Sequence, residues 1–154
     1  MSFTFTVLKN LRSISKKLIE KHTLADLNKI PEGFNNNIIW NMAHVAVTTQ
    51  LLAYKLSGLP MHINDDLVNK YKKDTKPEGD LSQEEVDEIS NLLISTLEQL
   101  ESDYNAGMFK SYNEYTVSTT GNTLTNIEDA LSFNLVHEGM HMGYVLALSR
   151  AIKG

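Results

Sequence analysis

His137 and His141 stand four residues apart in the run His137-Glu138-Gly139-Met140-His141, inside a segment whose pattern predicts the last helix. Side chains at i and i+4 lie one turn apart on the same helical face, so two imidazoles placed this way can ligate one ion. The run also fits the H-E-x-x-H pattern of zinc proteases, in which the glutamate is the general base. That pattern lacks its downstream ligand here, because no His, Asp or Glu follows His141. A third protein ligand has to come from earlier in the chain.

Three other histidines are available. His22 falls at the end of the first predicted helix beside Lys21 and Thr23, where solvent exposure is expected. His62 follows Pro60 in a long link and has no predicted position. His44 lies mid-helix in Ile38-Ile39-Trp40-Asn41-Met42-Ala43-His44-Val45, and its face also carries Asn37, Trp40, Asn41, Thr48 and Leu51. A core-facing stripe is normally apolar throughout, yet polar groups collect here beside the largest aromatic. The last helix repeats the oddity, with Asn134, His137, His141 and Tyr144 sharing a face with Phe133 and Leu148. Buried polar groups are costly unless paired, so two such stripes should face each other or face water. One metal ion on His44, His137 and His141 would satisfy both, and three neutral imidazoles leave positions open for water or substrate, as in catalytic zinc sites.

The elements that must position these residues read as all-α. Four long helices are predicted: Phe5 to Glu20 with Leu8, Leu11, Ile14 and Leu18 as its apolar stripe; the Asn35-Asn36-Asn37 capping run to about Ser57; Ser82, in a capping-box pattern with Glu85, to about Asn105; and Thr125, in the same pattern with Glu128, to Ala151. Shorter helical pieces are expected over Thr23 to Lys29 and Asp66 to Lys72. About 24 residues link the second and third long helices and about 19 link the third and fourth; links this long in a small domain are uncommon and often functional.

Composition bounds the rest. The 154 residues suit one domain over 1–154 with a core of its own. A net charge of -5 is the wrong sign for a phosphate-binding surface, which argues against nucleic acid as a partner. No apolar run is long enough to span a bilayer, and the start has no basic-then-apolar secretory pattern, so a cytoplasmic protein without a membrane partner is expected. Cysteine is absent, which removes disulfides, thiolate ligands and a cysteine nucleophile together; any thiol chemistry needs sulfur from a substrate.

Trp40-Asn41-x-x-His44 early in the second long helix, with His137-Glu138-x-x-His141-x-Gly143-Tyr144 near the end, resembles the DinB-like (DinB/YfiT) superfamily, whose name implies no polymerase activity. Pro31-x-Gly33-Phe34-Asn35-Asn36, Leu56-Ser57-Gly58-Leu59-Pro60 and the loop from Gly121 to Ala130 extend the resemblance over nearly the whole chain. It implies a four-helix bundle of up-down-down-up topology, a divalent ion, commonly nickel or zinc, on residues matching His44, His137 and His141, and a homodimer. Characterised enzymes of that superfamily include thiol S-transferases using bacillithiol, mycothiol or glutathione, and a thiol-dependent maleylpyruvate isomerase.

These features make a metal-dependent transferase that activates a low-molecular-weight thiol and attacks a small-molecule electrophile the leading expectation. Two alternatives stay open: a hydrolase whose ion activates water, and a non-catalytic, stress-associated metal- or ligand-binding module. Among the remaining site candidates, Glu138 and Tyr144 are the catalytic ones. Glu138 sits about 100° around the helix from His137, where a salt bridge to a neighbouring helix competes with a role as base. Trp40, Asn41 and Asn134 are candidates for substrate binding or ligand orientation; Trp40 reads first as a core anchor that also walls the metal pocket, and the two asparagines are equally explained as buried polar residues satisfied by backbone.

Overall fold

The computed structural model describes residues 1–153, and these are mostly helical. In chain order the elements are α1 (Ser2–Lys21), α2 (Leu24–Asn28), α3 (Ile38–Gln50), which continues as a π-helical segment (Leu51–Lys55), α4 (Asp65–Tyr71), α5 (Gln83–Asn105), β1 (Tyr115–Thr116), β2 (Thr123–Leu124) and α6 (Ile127–Lys153). No helix among the described residues is long and apolar enough to cross a membrane.

The helix starts follow the side-chain chemistry, with one shift. Asn37 begins α3 by accepting from Trp40 N at 2.9 Å. Ser82 begins α5 through the reciprocal box with Glu85. At α6 the expected Thr125–Glu128 box does not form. Asn126 Oδ1 instead accepts from Asp129 N at 2.8 Å, and Asp129 Oδ2 accepts from Thr125 N and Thr125 Oγ1. Asparagine one residue later caps at least as well as threonine, and Glu128 is then free to accept from Tyr104 Oη at 2.8 Å.

Every residue of α3 except Thr48 is buried. A helix apolar nearly all round belongs in a core, and α3 packs against both α5 and α6 while α1 packs on the same two helices from elsewhere. The buried stripe of α1 is Phe5, Leu8, Arg12, Ser15 and Ile19, which is rotated from the expected Leu8, Leu11, Ile14, Leu18. Ile14 is 45% exposed. Two polar side chains occupy core positions because partners await them: Ser15 donates to Leu11 O, and Arg12 enters the network described below.

The two long links carry structure. The first holds α4. The second, for which the sequence suggested no element, forms a two-stranded antiparallel hairpin pairing Tyr115 with Leu124 and Thr116 with Thr123. Val117 and Leu124 are buried in a core cluster with Phe5, Leu52, Leu97 and Leu131. Apolar anchoring therefore holds a hairpin that would be marginal alone, and Gly121 (φ +73°) supplies the left-handed residue of its turn. Tyr112 Oη and Asn113 N donate to Leu52 O and Leu56 O at 2.9 and 2.7 Å, which fastens this link to the π-helical segment.

Candidate metal centre

Three histidines converge between α3 and α6. His44, His137 and His141 each offer a ring nitrogen, and these atoms lie within 4.8 Å of one another. The mid-helix position of His44 and the i,i+4 spacing on α6 put all three on facing stripes, as their sequence spacing requires. His44 and His137 are buried and His141 is half-buried.

Hydrogen bonds orient two of the rings. His44 Nδ1 donates to Tyr71 O at 2.6 Å, the backbone carbonyl at the end of α4. A carbonyl only accepts, so Nε2 of His44 carries the lone pair. His141 Nδ1 donates to Asn41 Oδ1 at 2.8 Å, and Asn41 is steadied by its own bonds to Asn36 Oδ1 and Asn37 O. Outer partners of this kind set the tautomer and aim of metal-ligating histidines. Trp40 stacks on His44 with centroids 4.8 Å apart and planes 12° from parallel, so it braces a ring and is not part of the cavity wall.

His137 supplies the test of fit. Its Nε2 lies 3.3 Å from His44 Nε2, and its Nδ1 is buried with no partner. No tautomer of a metal-free ring satisfies both nitrogens: one leaves Nδ1 with an unpaired lone pair, and the other sets two Nε2 lone pairs face to face. Nitrogens each about 2.0–2.1 Å from one tetrahedral ion stand about 3.3 Å apart, which is the observed separation. This pair fits a shared divalent cation, and His141 offers a third nitrogen within 4.8 Å.

Electrostatics point the same way. Burial pushes His137 down to about 3, helped by the charges of His141, His44 and Arg12. Burial and then His44 push His141 down to about 4. Burial also lowers His44, against the opposing pull of the Tyr71 carbonyl. The rings are therefore neutral at physiological pH, the form in which imidazole binds metal.

A cavity of about 480 Å³ opens over the three rings. Both long links reach it: Lys73 follows α4, and Tyr115, Val117, Ser118 and Thr119 come from the hairpin. The π-helical segment adds Leu51, Leu52 and Lys55, and α6 adds Phe133 and Met140. A π-helical stretch beside a functional cavity is a recurrent association.

The other candidates separate from this group. Glu138 is 3% exposed and forms the salt bridge to a neighbouring helix: Arg12 Nε donates to its Oε2 at 2.8 Å and Arg12 Nη2 to its Oε1 at 2.7 Å. Asn134 Nδ2 also donates to Glu138 Oε1, at 2.9 Å. Arg12 completes its own set with Leu93 O and Thr49 Oγ1. Asn134 thus serves this network, and Glu138 is held as an ion-pair partner outside the cavity lining. Tyr144 is 36% exposed and packs edge-on against Phe34, away from the cavity. His22, expected in solvent, is 8% exposed and held by Leu18 O and Ser149 Oγ. His62 lies 3.3 Å from Asp103 and against the Tyr54 ring, in a different part of the chain from the cluster.

Arg12 was invisible as a site residue at the level of motifs. Its only sequence signal is a lone cation four residues after Leu8, on the helical face that also carries Phe5 and Ile19. The Tyr71 carbonyl had no signal, because a backbone group bonds irrespective of its side chain.

Comparison with known proteins bears on the family and the fold. A family model described as the DinB superfamily matches residues 8–145, most of the chain and all three histidines. The chain belongs to the DinB superfamily. A crystal structure described as the conserved protein of locus from Enterococcus faecalis superposes with a TM-score of 0.66 at 16% identity, covering 99% of this chain and 96% of that one. At that identity the likeness concerns the fold alone. No curated protein matches the chain. Its DinB superfamily membership rests on the matched span, and its chemistry has to be argued from the site.

Proposed function

We propose that the protein is a metal-dependent thiol transferase, with His44, His137 and His141 holding one divalent ion, nickel or zinc. The observation that carries this reading is an oriented cluster of three neutral histidines at the floor of a largely apolar cavity. A divalent ion in an open three-histidine site supplies Lewis acidity that keeps a substrate thiol ionised near neutral pH. The chain contributes the rest. Tyr71 O and Asn41 Oδ1 fix two of the rings, and Thr48 Oγ1, 3.3 Å from His44 Nε2, offers a hydroxyl at the reacting centre. Leu51, Leu52, Phe133 and Met140 exclude water and give an electrophile an apolar bed. The absence of cysteine is consistent with sulfur arriving on a substrate.

The pairing of α1 and α3 each with α5 and α6 supports reading the four long helices as an up-down-down-up bundle. Its long crossovers then become the two links that roof the cavity.

Incubating zinc- or nickel-loaded protein with a panel of low-molecular-weight thiols and a chromogenic electrophile should give thiol-dependent turnover. His44→Ala should lower it by at least about a hundredfold, beyond what loss of an outer-shell partner costs. Equal turnover in that variant would sink the proposal. Thiol-independent cleavage of an ester panel by the parent would assign hydrolysis in its place.

A further inference from the structure

The wall of the cavity differs in charge from the chain that builds it. The protein is acidic, with 19 Asp and Glu against 14 Lys and Arg. The cavity lining nevertheless includes no Asp or Glu, and its ionised side chains are Lys55 and Lys73. Neither ammonium has a carboxylate within ion-pair distance among the described residues. Lys73 Nζ donates to Ser118 Oγ at 2.8 Å, so the hairpin tip holds it beside the cavity. Lys55 stands on the π-helical segment, next to Leu52 and Leu56, which also line the cavity. Hydroxyls of Ser118 and Thr119 join the lysines, whereas Leu51, Leu52, Val117, Phe133 and Met140 make the remaining wall apolar.

We infer that this cavity selects a small carboxylate-bearing molecule with an apolar body, its carboxylate taken by Lys55 and Lys73 and its apolar part laid over the histidines. The volume of about 480 Å³ lies within the range of small-ligand sites. Two separate ammonium groups and flanking hydroxyls suit a carboxylate. No arginine lines the cavity, so the planar fork common at phosphate sites is missing. Charge selection in the metal-free cavity falls to the lysines, the ammonium groups of its lining. In the loaded protein a divalent ion adds to the same positive field. The inference names a substrate class for the proposed transferase and rests on that reading for its catalytic meaning, though the binding it predicts does not need the ion.

The test is calorimetric titration with 3-phenylpropanoate and its neutral amide, in chelator and again after zinc loading. It compares the parent with a Lys55→Gln/Lys73→Gln variant. Both lysines are exposed, so the variant should fold, and its melting curve checks this. The parent should prefer the acid by about tenfold, the scale of one or two partly screened ion pairs. The double variant should lose that preference in chelator, retain only the ion's share of it after zinc loading, and keep its affinity for the amide. Equal binding of acid and amide by the parent would overturn the inference, as would no binding of either at millimolar concentration. A preference that the parent shows only after zinc loading would also overturn it, assigning recognition to the ion. A parent that takes up no zinc yet discriminates through its lysines would defeat the transferase reading and leave the carboxylate site standing.

Discussion

Arg12→Met should destabilise the protein by about 3–5 kcal/mol, the usual cost of breaking one side of a buried ion pair. Arg12 is 1% exposed and Glu138 is 3% exposed, so removing the guanidinium strands a carboxylate in the core with only Asn134 and Thr49 for partners. The same change cuts the links from α1 to α3 and α5 through Thr49 and Leu93 O. Pairing it with Glu138→Leu should recover most of the loss, because well-packed apolar replacements of a whole buried pair are often near neutral. Urea denaturation of the two single variants and the double variant measures the coupling. Additive losses in the double variant would mean the pair is not coupled. Glu138 directly follows the candidate ligand His137, so this network also fixes where α6 presents its imidazoles.

Acid should weaken the metal-free protein well above the range where carboxylates titrate. His137 and His141 fall from an ordinary 6.5 to about 3 and about 4 in the folded chain. Below pH 6.5 the unfolded chain takes up protons on these rings that the folded chain refuses, so stability drops as pH falls. Above 6.5 both states are neutral there and the contribution is flat. Each ring contributes a slope of about 1.4 kcal/mol per pH unit inside the window. Between pH 7 and pH 5 the two together should remove about 4 kcal/mol. Asp26, Asp103 and Asp129 have values below the usual 3.8, so their stabilisation is lost only at lower pH. Urea midpoints in chelator at the two pH values provide the check. A His137→Leu/His141→Leu variant should show much less pH dependence; the same drop in both proteins would place the effect elsewhere.

The features available from the sequence were those set by spacing on one helix. The i,i+4 pair on α6 and the polar stripe around His44 determined which residues meet, because helical geometry leaves little choice once both segments are helices. Asn37 and Ser82 begin their helices as side-chain capping requires. The misses lie where partners come from distant segments. Arg12 was one cation among several on an amphipathic helix until α3, α5 and α6 brought it four acceptors. His22 looked like a frayed terminus until Ser149 on α6 reached it. Two residues per strand carry too short a period to announce a hairpin, and Val117 and Leu124 hold it by contacts with other elements. Tyr144 sits one turn beyond the ligand pair, where the helix has already turned toward Phe34.

The central claim is that α3 and α6 share one ion. Incubating the parent and the His44→Ala variant with excess zinc, removing loosely bound metal, and measuring content by ICP-MS tests it most directly. The parent should retain about one equivalent and the variant almost none, since two imidazoles on one helix hold a divalent ion far more weakly than three. The variant should remain folded by circular dichroism, which separates loss of a ligand from loss of structure. Equal retention by both proteins would contradict the shared site, and so would a parent that takes up no metal.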